Sequence, residues 1–179
     1  FQCIYQHHVV RELCNLLEQE LKHQCCFFSY LEVLKQKTGS LIETSAALGA
    51  YLSGADDVVT AALSNYAQNI GLAFQISDDI LDLKGDSAKS GKMIGKDLLE
   101  GIHTLPVLSA LSLDKEESLK QLLVEVRKNP DLIQTIIEKV TNLGGFDVAA
   151  LHLESLIDQA MTSLDSVPKG SARDALVQF

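Results

Sequence analysis

Three carboxylates, Asp78, Asp79 and Asp82, sit inside one of the most apolar parts of the chain. On an α-helix, spacings of three and four residues put side chains on one face. Like charges so placed repel one another unless a cation joins them. Oxygen-only ligands of this kind suit a hard divalent ion, most often Mg2+. That ion keeps several waters and shares its shell with substrate phosphates. A solvated acidic patch is the plainer reading of such a cluster. Against it, Leu72, Ala73, Phe74, Ile76, Ile80, Leu81 and Leu83 make the helix apolar nearly all round, which predicts burial.

Two further blocks flank this stretch. Upstream runs Tyr30-Leu31-Glu32 to Lys37-Thr38-Gly39-Ser40-Leu41-Ile42. Downstream runs Ser90-Gly91-Lys92-Met93-Ile94-Gly95-Lys96-Asp97, then Glu100-Gly101-Ile102-His103-Thr104-Leu105-Pro106. In this order and spacing the blocks resemble the C-terminal half of the trans-isoprenyl diphosphate synthases, or polyprenyl synthetases. The FQxxDDxLD run looks like that family's second aspartate-rich motif. The resemblance extends from about Tyr30 to the end of the chain.

The resemblance implies an all-α, isoprenoid-synthase-like helical bundle, incomplete at its N-terminus. Residues 1–179 would form the C-terminal portion of one such domain. It implies head-to-tail prenyl transfer between an allylic diphosphate and isopentenyl diphosphate, and a homodimeric enzyme. Asp78, Asp79 and Asp82 would hold Mg2+ against the allylic diphosphate, Asp78 leading. Lys37 would bind that diphosphate, while Thr38 and Gln75 would place oxygen dipoles near the developing cation. Gln75 lies one turn before Asp78 and faces the same space. Lys92 resembles the loop lysine that closes over the diphosphate, with Lys89 and Lys96 left solvated. Asp97 would orient a metal-bound water or a lysine from behind.

Two departures matter. Ile102 stands where many members carry a lysine, which tilts the reading toward a long-chain, quinone-side-chain type of synthase; Lys84 and His103 are weak substitutes. The first aspartate-rich motif with its arginine pair is missing, since Asp56-Asp57 reads as a helix start. This leaves a non-catalytic or regulatory subunit of a heteromeric synthase as the alternative. A class I terpene cyclase is disfavoured, because its N-x-x-x-S-x-x-x-E metal motif is absent.

The elements that must position these residues all read as helices, with almost no strand signal. Residues 9–24 carry Val9, Val10, Leu13, Leu16, Leu17 and Leu21 on one face. A long helix is expected over residues 28–52, with Gly39 marking a close approach. Gly54 and Asp56 then cap an antiparallel return over residues 57–83, closed by Gly85. Residues 84–103 read as a long loop or lid. Thr104 is expected to cap a helix with Pro106 in its first turn. Asp114 and Glu117 suggest a capping box opening a helix to Lys128. Asn129-Pro130-Asp131 breaks it, Gly144-Gly145 ends the next helix, and a further helix spans residues 147–166.

With 179 residues, 46% hydrophobic and 22% charged, the chain suits one domain with a real core. A net charge of −9 argues against nucleic acid as a partner. No apolar run is long enough for a membrane span and no signal peptide is recognisable. The expectation is a cytoplasmic protein that touches membranes transiently through a lipid product. Cys3, Cys14, Cys25 and Cys26 form no C-x-x-C pair and read as small apolar residues rather than zinc ligands. His7, His8 and His23 read as surface residues.

Overall fold

The computed structural model describes residues 29–85 and 94–178, and every regular element among them is helical. The expected helix at residues 9–24, the four cysteines, Lys89 and Lys92 lie outside the described residues. Residues 29–34 are α-helical and run into a π-helical turn, Lys35–Gly39, and then α1, Ser40–Leu52. Gly54 takes a left-handed conformation (φ 79°) that reverses the chain. Asp56 then caps α2, Asp57–Lys84, by accepting from the Val59 amide at 2.8 Å. Gly85 leaves the helix in an extended conformation and ends it. The antiparallel pair is therefore present, with a widened turn inside its first member.

Gly39 is buried in that widened turn. A Cβ on Gly71 of α2 would lie 3.5 Å from the Gly39 Cα and 3.2 Å from Ile42 Cδ1. Gly71 thus lies against the segment that carries Gly39, whereas a Cβ on Gly39 itself would meet only Leu34 and Lys35 of its own segment, at ordinary contact distance.

After α2 come α3 (Lys96–Glu100), α4 (Leu105–Leu113), α5 (Ser118–Glu125), α6 (Ile133–Asn142), α7 (Gly145–Ser163) and α8 (Ser171–Gln178). The central α2 packs between α1 and α7, and α7 also packs on α4. Near the site, Leu34, Ile76, Leu105 and Ala149 form one core cluster. A larger one joins Leu83 and Leu98 to α4, α5, α6 and Phe146. Burying each large side chain contributes roughly 1.5–3 kcal/mol. At the far end the Tyr66 hydroxyl donates to the Leu176 carbonyl at 2.7 Å and ties α8 to α2.

Four expectations need correction. The stretch 84–103 is not a continuous loop, because residues 96–100 form a short helix. Gly95 (φ 68°) and Gly101 (φ 78°) bound it in left-handed conformations, so these glycines end a helix rather than loosen a loop. Thr104 occupies the N-cap position of α4 but its side chain makes no cap hydrogen bond. The Asp114–Glu117 capping box is replaced by an Asp114 carboxylate that accepts from the Leu119 amide at 2.6 Å. Glu117 itself is left-handed (φ 53°), and α5 stops at Glu125 because Pro130 holds Asn129 out of the helical region. Finally, α2 is not buried all round: Phe74 is 64% and Leu81 59% exposed. Among the described residues no helix is long and apolar enough to cross a membrane.

Candidate active site

Ile76 is fully buried and turns the C-terminal half of α2 against Leu34, Leu105 and Ala149. That rotation decides how the carboxylates stand. Asp78 is exposed, Asp82 is half-buried, and Asp79 is only 5% exposed. The Tyr30 hydroxyl donates to the Asp79 carboxylate, and the Gln75 side chain, one turn earlier, favours its charged form. Thr38 Oγ1 donates to Gln75 Oε1 at 3.3 Å. Thr38, Gln75, Asp79 and Tyr30 thereby form one polar row between the helical segment before α1 and the buried side of α2.

Burial is the largest influence on Asp79 and pushes its carboxyl up to about 6, with the charges of Asp97 and Asp78 adding to it. The hydrogen bond from Tyr30 and the Gln75 side chain oppose that rise. Burial also raises the Tyr30 phenol, and the bond to Asp79 raises it further. Tyr30 is the site residue that sequence reasoning left without a role. Its only signal was its place at the head of the upstream block.

Asp82 and Asp97 are brought together from opposite sides of residues 86–93. The Asp97 amide donates to Asp82 Oδ2 at 3.4 Å, and the Gly95 amide donates to the Asp82 carbonyl at 2.9 Å. Burial raises Asp82, opposed by the backbone donors of Asp97 and Lys96. Burial raises Asp97 too; Asp82, Glu100 and Asp78 add to this, and Lys37 opposes it. Lys37 stands exposed in the π-helical turn, close enough for its charge to be felt at Asp97.

Four carboxylates therefore sense one another here. Among the described residues no three His, Cys, Asp or Glu side chains converge closely enough to cage a metal ion. The donor set still fits Mg2+, which binds through one or two carboxylates and completes its shell with water and phosphate oxygens. Asp78 and Asp82 are the accessible candidates, with Asp97 beside them; Asp79 is turned toward Tyr30.

The remaining cations divide clearly. Lys84 Nζ lies 4.2 Å from the centre of the Phe146 ring. Lys96 pairs with Glu100 at 3.6 Å on the surface. Ile102 is 50% exposed, and burial pushes the pKa of nearby His103 down, so neither supplies a cation at neutral pH.

The polyprenyl synthetase family model matches residues 3–140. The chain is 34% identical over 176 residues to heptaprenyl diphosphate synthase component 2 of Bacillus subtilis, across 97% of this chain and 48% of that one. Among solved structures it resembles the geranylgeranyl pyrophosphate synthetase of Pyrococcus horikoshii, with a TM-score of 0.77 and 32% identity over 94% of this chain and 53% of that one. It also resembles a polyprenyl synthase of Caulobacter crescentus complexed with calcium and isoprenyl diphosphate. There the TM-score is 0.76 at 30% identity, over 83% of this chain and 46% of that one. The chain thus spans about half the length of the relatives it matches. With the helical fold and a family match over most of its length, the chain belongs to the polyprenyl synthetase family.

Proposed function

We propose that the full-length protein is a Mg2+-dependent trans-prenyltransferase. It condenses an allylic diphosphate with isopentenyl diphosphate to give a longer polyprenyl diphosphate. The observation that carries this reading is the row from Thr38 through Gln75 to Asp79, lying beside the carboxylates Asp78, Asp82 and Asp97 and the cation of Lys37. The Caulobacter relative, solved with calcium and isoprenyl diphosphate, supports both the ligand class and a divalent ion.

The allylic carbon–oxygen bond breaks with its electron pair leaving on the diphosphate. The isopentenyl double bond attacks the allylic cation, and the departing diphosphate takes the proton released afterwards. Asp78 and Asp82 would hold Mg2+, which when bound neutralises carboxylates and diphosphate together and stabilises the leaving oxygen. Lys37 binds the diphosphate as its charge grows. The oxygens of Thr38 and Gln75 face the positive carbon with dipoles already oriented, so no reorganisation is needed at the moment of reaction. Lys92 and Asp97 remain assigned to diphosphate binding and to orienting a water or lysine. Ile102, standing where many members of the family carry a lysine, favours a long-chain product.

Incubating the full-length protein with farnesyl diphosphate, isopentenyl diphosphate and Mg2+ tests this directly. Mass spectrometry should find products longer by whole isoprene units; no elongation would overturn the reading. A heteromeric synthase is the second reading, favoured by likeness to a chain named component 2. Elongation by the purified full-length protein without a second kind of subunit would rule it out.

A further inference from the structure

The chemistry above gives Tyr30 no part, yet its hydroxyl ends on the most buried carboxylate of the site. An ionised carboxylate only accepts hydrogen bonds. Asp79 accepts from Tyr30. Gln75 Oε1 accepts from Thr38 Oγ1 at 3.3 Å, which commits the oxygen end of that side chain. Its nitrogen end is left for Asp79, one turn on, whose charged form Gln75 favours. The direction of the Gln75 dipole is therefore set by where Asp79 is held. Were Asp79 to swing outward to a cation, Gln75 would lose the acceptor that orients it.

We infer that Tyr30 is a positioning residue: its hydroxyl holds Asp79 as the anchor of Gln75 and keeps it out of the inner shell of the metal. Asp78 and Asp82 are then the carboxylates of α2 that reach the ion. This rests on the prenyltransferase reading. It divides the three aspartates of the motif into two jobs, which their spacing alone treats as one. The rival account is that Tyr30 merely packs, since its ring lies against the cluster of Leu34, Ile76 and Leu105. Ring and hydroxyl are separable by substitution.

The test uses the full-length protein with Tyr30→Phe, Asp79→Asn and Asp78→Asn variants. Phenylalanine keeps the ring, and asparagine keeps an oxygen that can accept from Tyr30 and Gln75. Mg2+ binding is measured by calorimetry in the presence of inorganic diphosphate, separately from turnover. Tyr30→Phe should lower kcat about tenfold or more, while KM for isopentenyl diphosphate moves less than about twofold. Both Tyr30→Phe and Asp79→Asn should change Mg2+ affinity by less than about threefold, whereas Asp78→Asn weakens it by more than about tenfold. Unchanged turnover in Tyr30→Phe would overturn the inference. So would an Asp79→Asn loss of Mg2+ affinity equal to that of Asp78→Asn. If Tyr30→Phe fails to fold, the Asp79→Asn calorimetry alone decides. Should the wild-type protein make no polyprenyl product, the functional reading fails, and the binding comparison still decides where Asp79 belongs.

Discussion

Asp82 holds Asp97 by its backbone: the Asp97 amide donates to the Asp82 carboxylate at 3.4 Å. The neighbouring Gly95 amide donates to the Asp82 carbonyl at 2.9 Å, so the last turn of α2 is stitched to the start of α3 twice. One bond depends on a side chain and the other does not. The same carboxylate that is a candidate for the metal thus also decides where α3 begins.

Replacing Asp82 by alanine should separate these roles. The Gly95 bond survives the substitution and the Asp97 bond does not. Losing a partly buried bond of this kind costs about 1 kcal/mol locally. Hydrogen exchange at the Asp97 amide should accelerate roughly fivefold, with amides in α7 unaffected. Equal exchange in both proteins would show that α3 docks without Asp82.

Asp78→Ala should lower the chemical rate of the full-length protein by several orders of magnitude. Asp78 is exposed, so removing it relieves repulsion among carboxylates and breaks no packing. The thermal midpoint should stay at or above that of the wild type. Near-normal turnover in single-turnover experiments would remove Asp78 from the site.

In the metal-free protein, Asp79 couples stability to pH. Burial lifts its carboxyl from the ordinary 3.8 to about 6 in the fold. Between these values the folded state binds more protons than the unfolded chain, so stability falls as pH rises. The contribution is fully present below about pH 4 and is lost as the pH passes through about 6. Asp79→Asn removes the titration. Its stability relative to wild type should therefore improve by roughly 2 to 3 kcal/mol between pH 4 and pH 7. Urea denaturation at both pH values measures this, and a difference that does not change with pH would contradict it.

Two glycines should respond differently to alanine. A Cβ on Gly145 would lie 2.3 Å from the Pro106 carbonyl oxygen, which is backbone and cannot step aside. Gly145→Ala should cost about 3 kcal/mol by forcing α7 off α4. At Gly71 the nearest atom is the tip of Ile42, at 3.2 Å, which can rotate away. Gly71→Ala should cost less than about 1 kcal/mol, because alanine also suits a helix better than glycine. Calorimetric unfolding of both variants gives the comparison.

Much of this arrangement was readable in advance because it is local. Asp56 and Gly54 announce the turn between α1 and α2 with residue types that the geometry requires. Gln75 and the aspartates share a face because they are about one turn apart, although the spacing alone pairs Gln75 with Asp78 as readily as with Asp79. Tyr30 and Asp79 lie 49 positions apart, and no periodicity links them. A tyrosine among Leu31 and Leu34 reads as core, and the hydroxyl gives no hint of its partner. The short helix α3 was hidden by its own glycines, which resemble loop residues until their left-handed φ values mark them as helix ends. Phe74 and Leu81 misled for a different reason. Apolar character predicts burial only where something covers the residue, and among the described residues nothing covers these two.

The π-helical turn at Lys35–Gly39 works as a phase shifter. Eight residues of unbroken α-helix would leave Tyr30 and Thr38 about 80° apart around the axis, facing different neighbours. A turn closed from residue i to i+5, as in the Ser40 amide bonded to the Lys35 carbonyl, absorbs roughly one extra residue. That cancels most of the angle and brings both hydroxyls round to α2, one for Gln75 and one for Asp79. Straightening the turn to ordinary pitch with all its residues kept would rotate everything before it by about 100°. The motif lysine and threonine are thus built into the same irregularity that aligns the tyrosine two turns away.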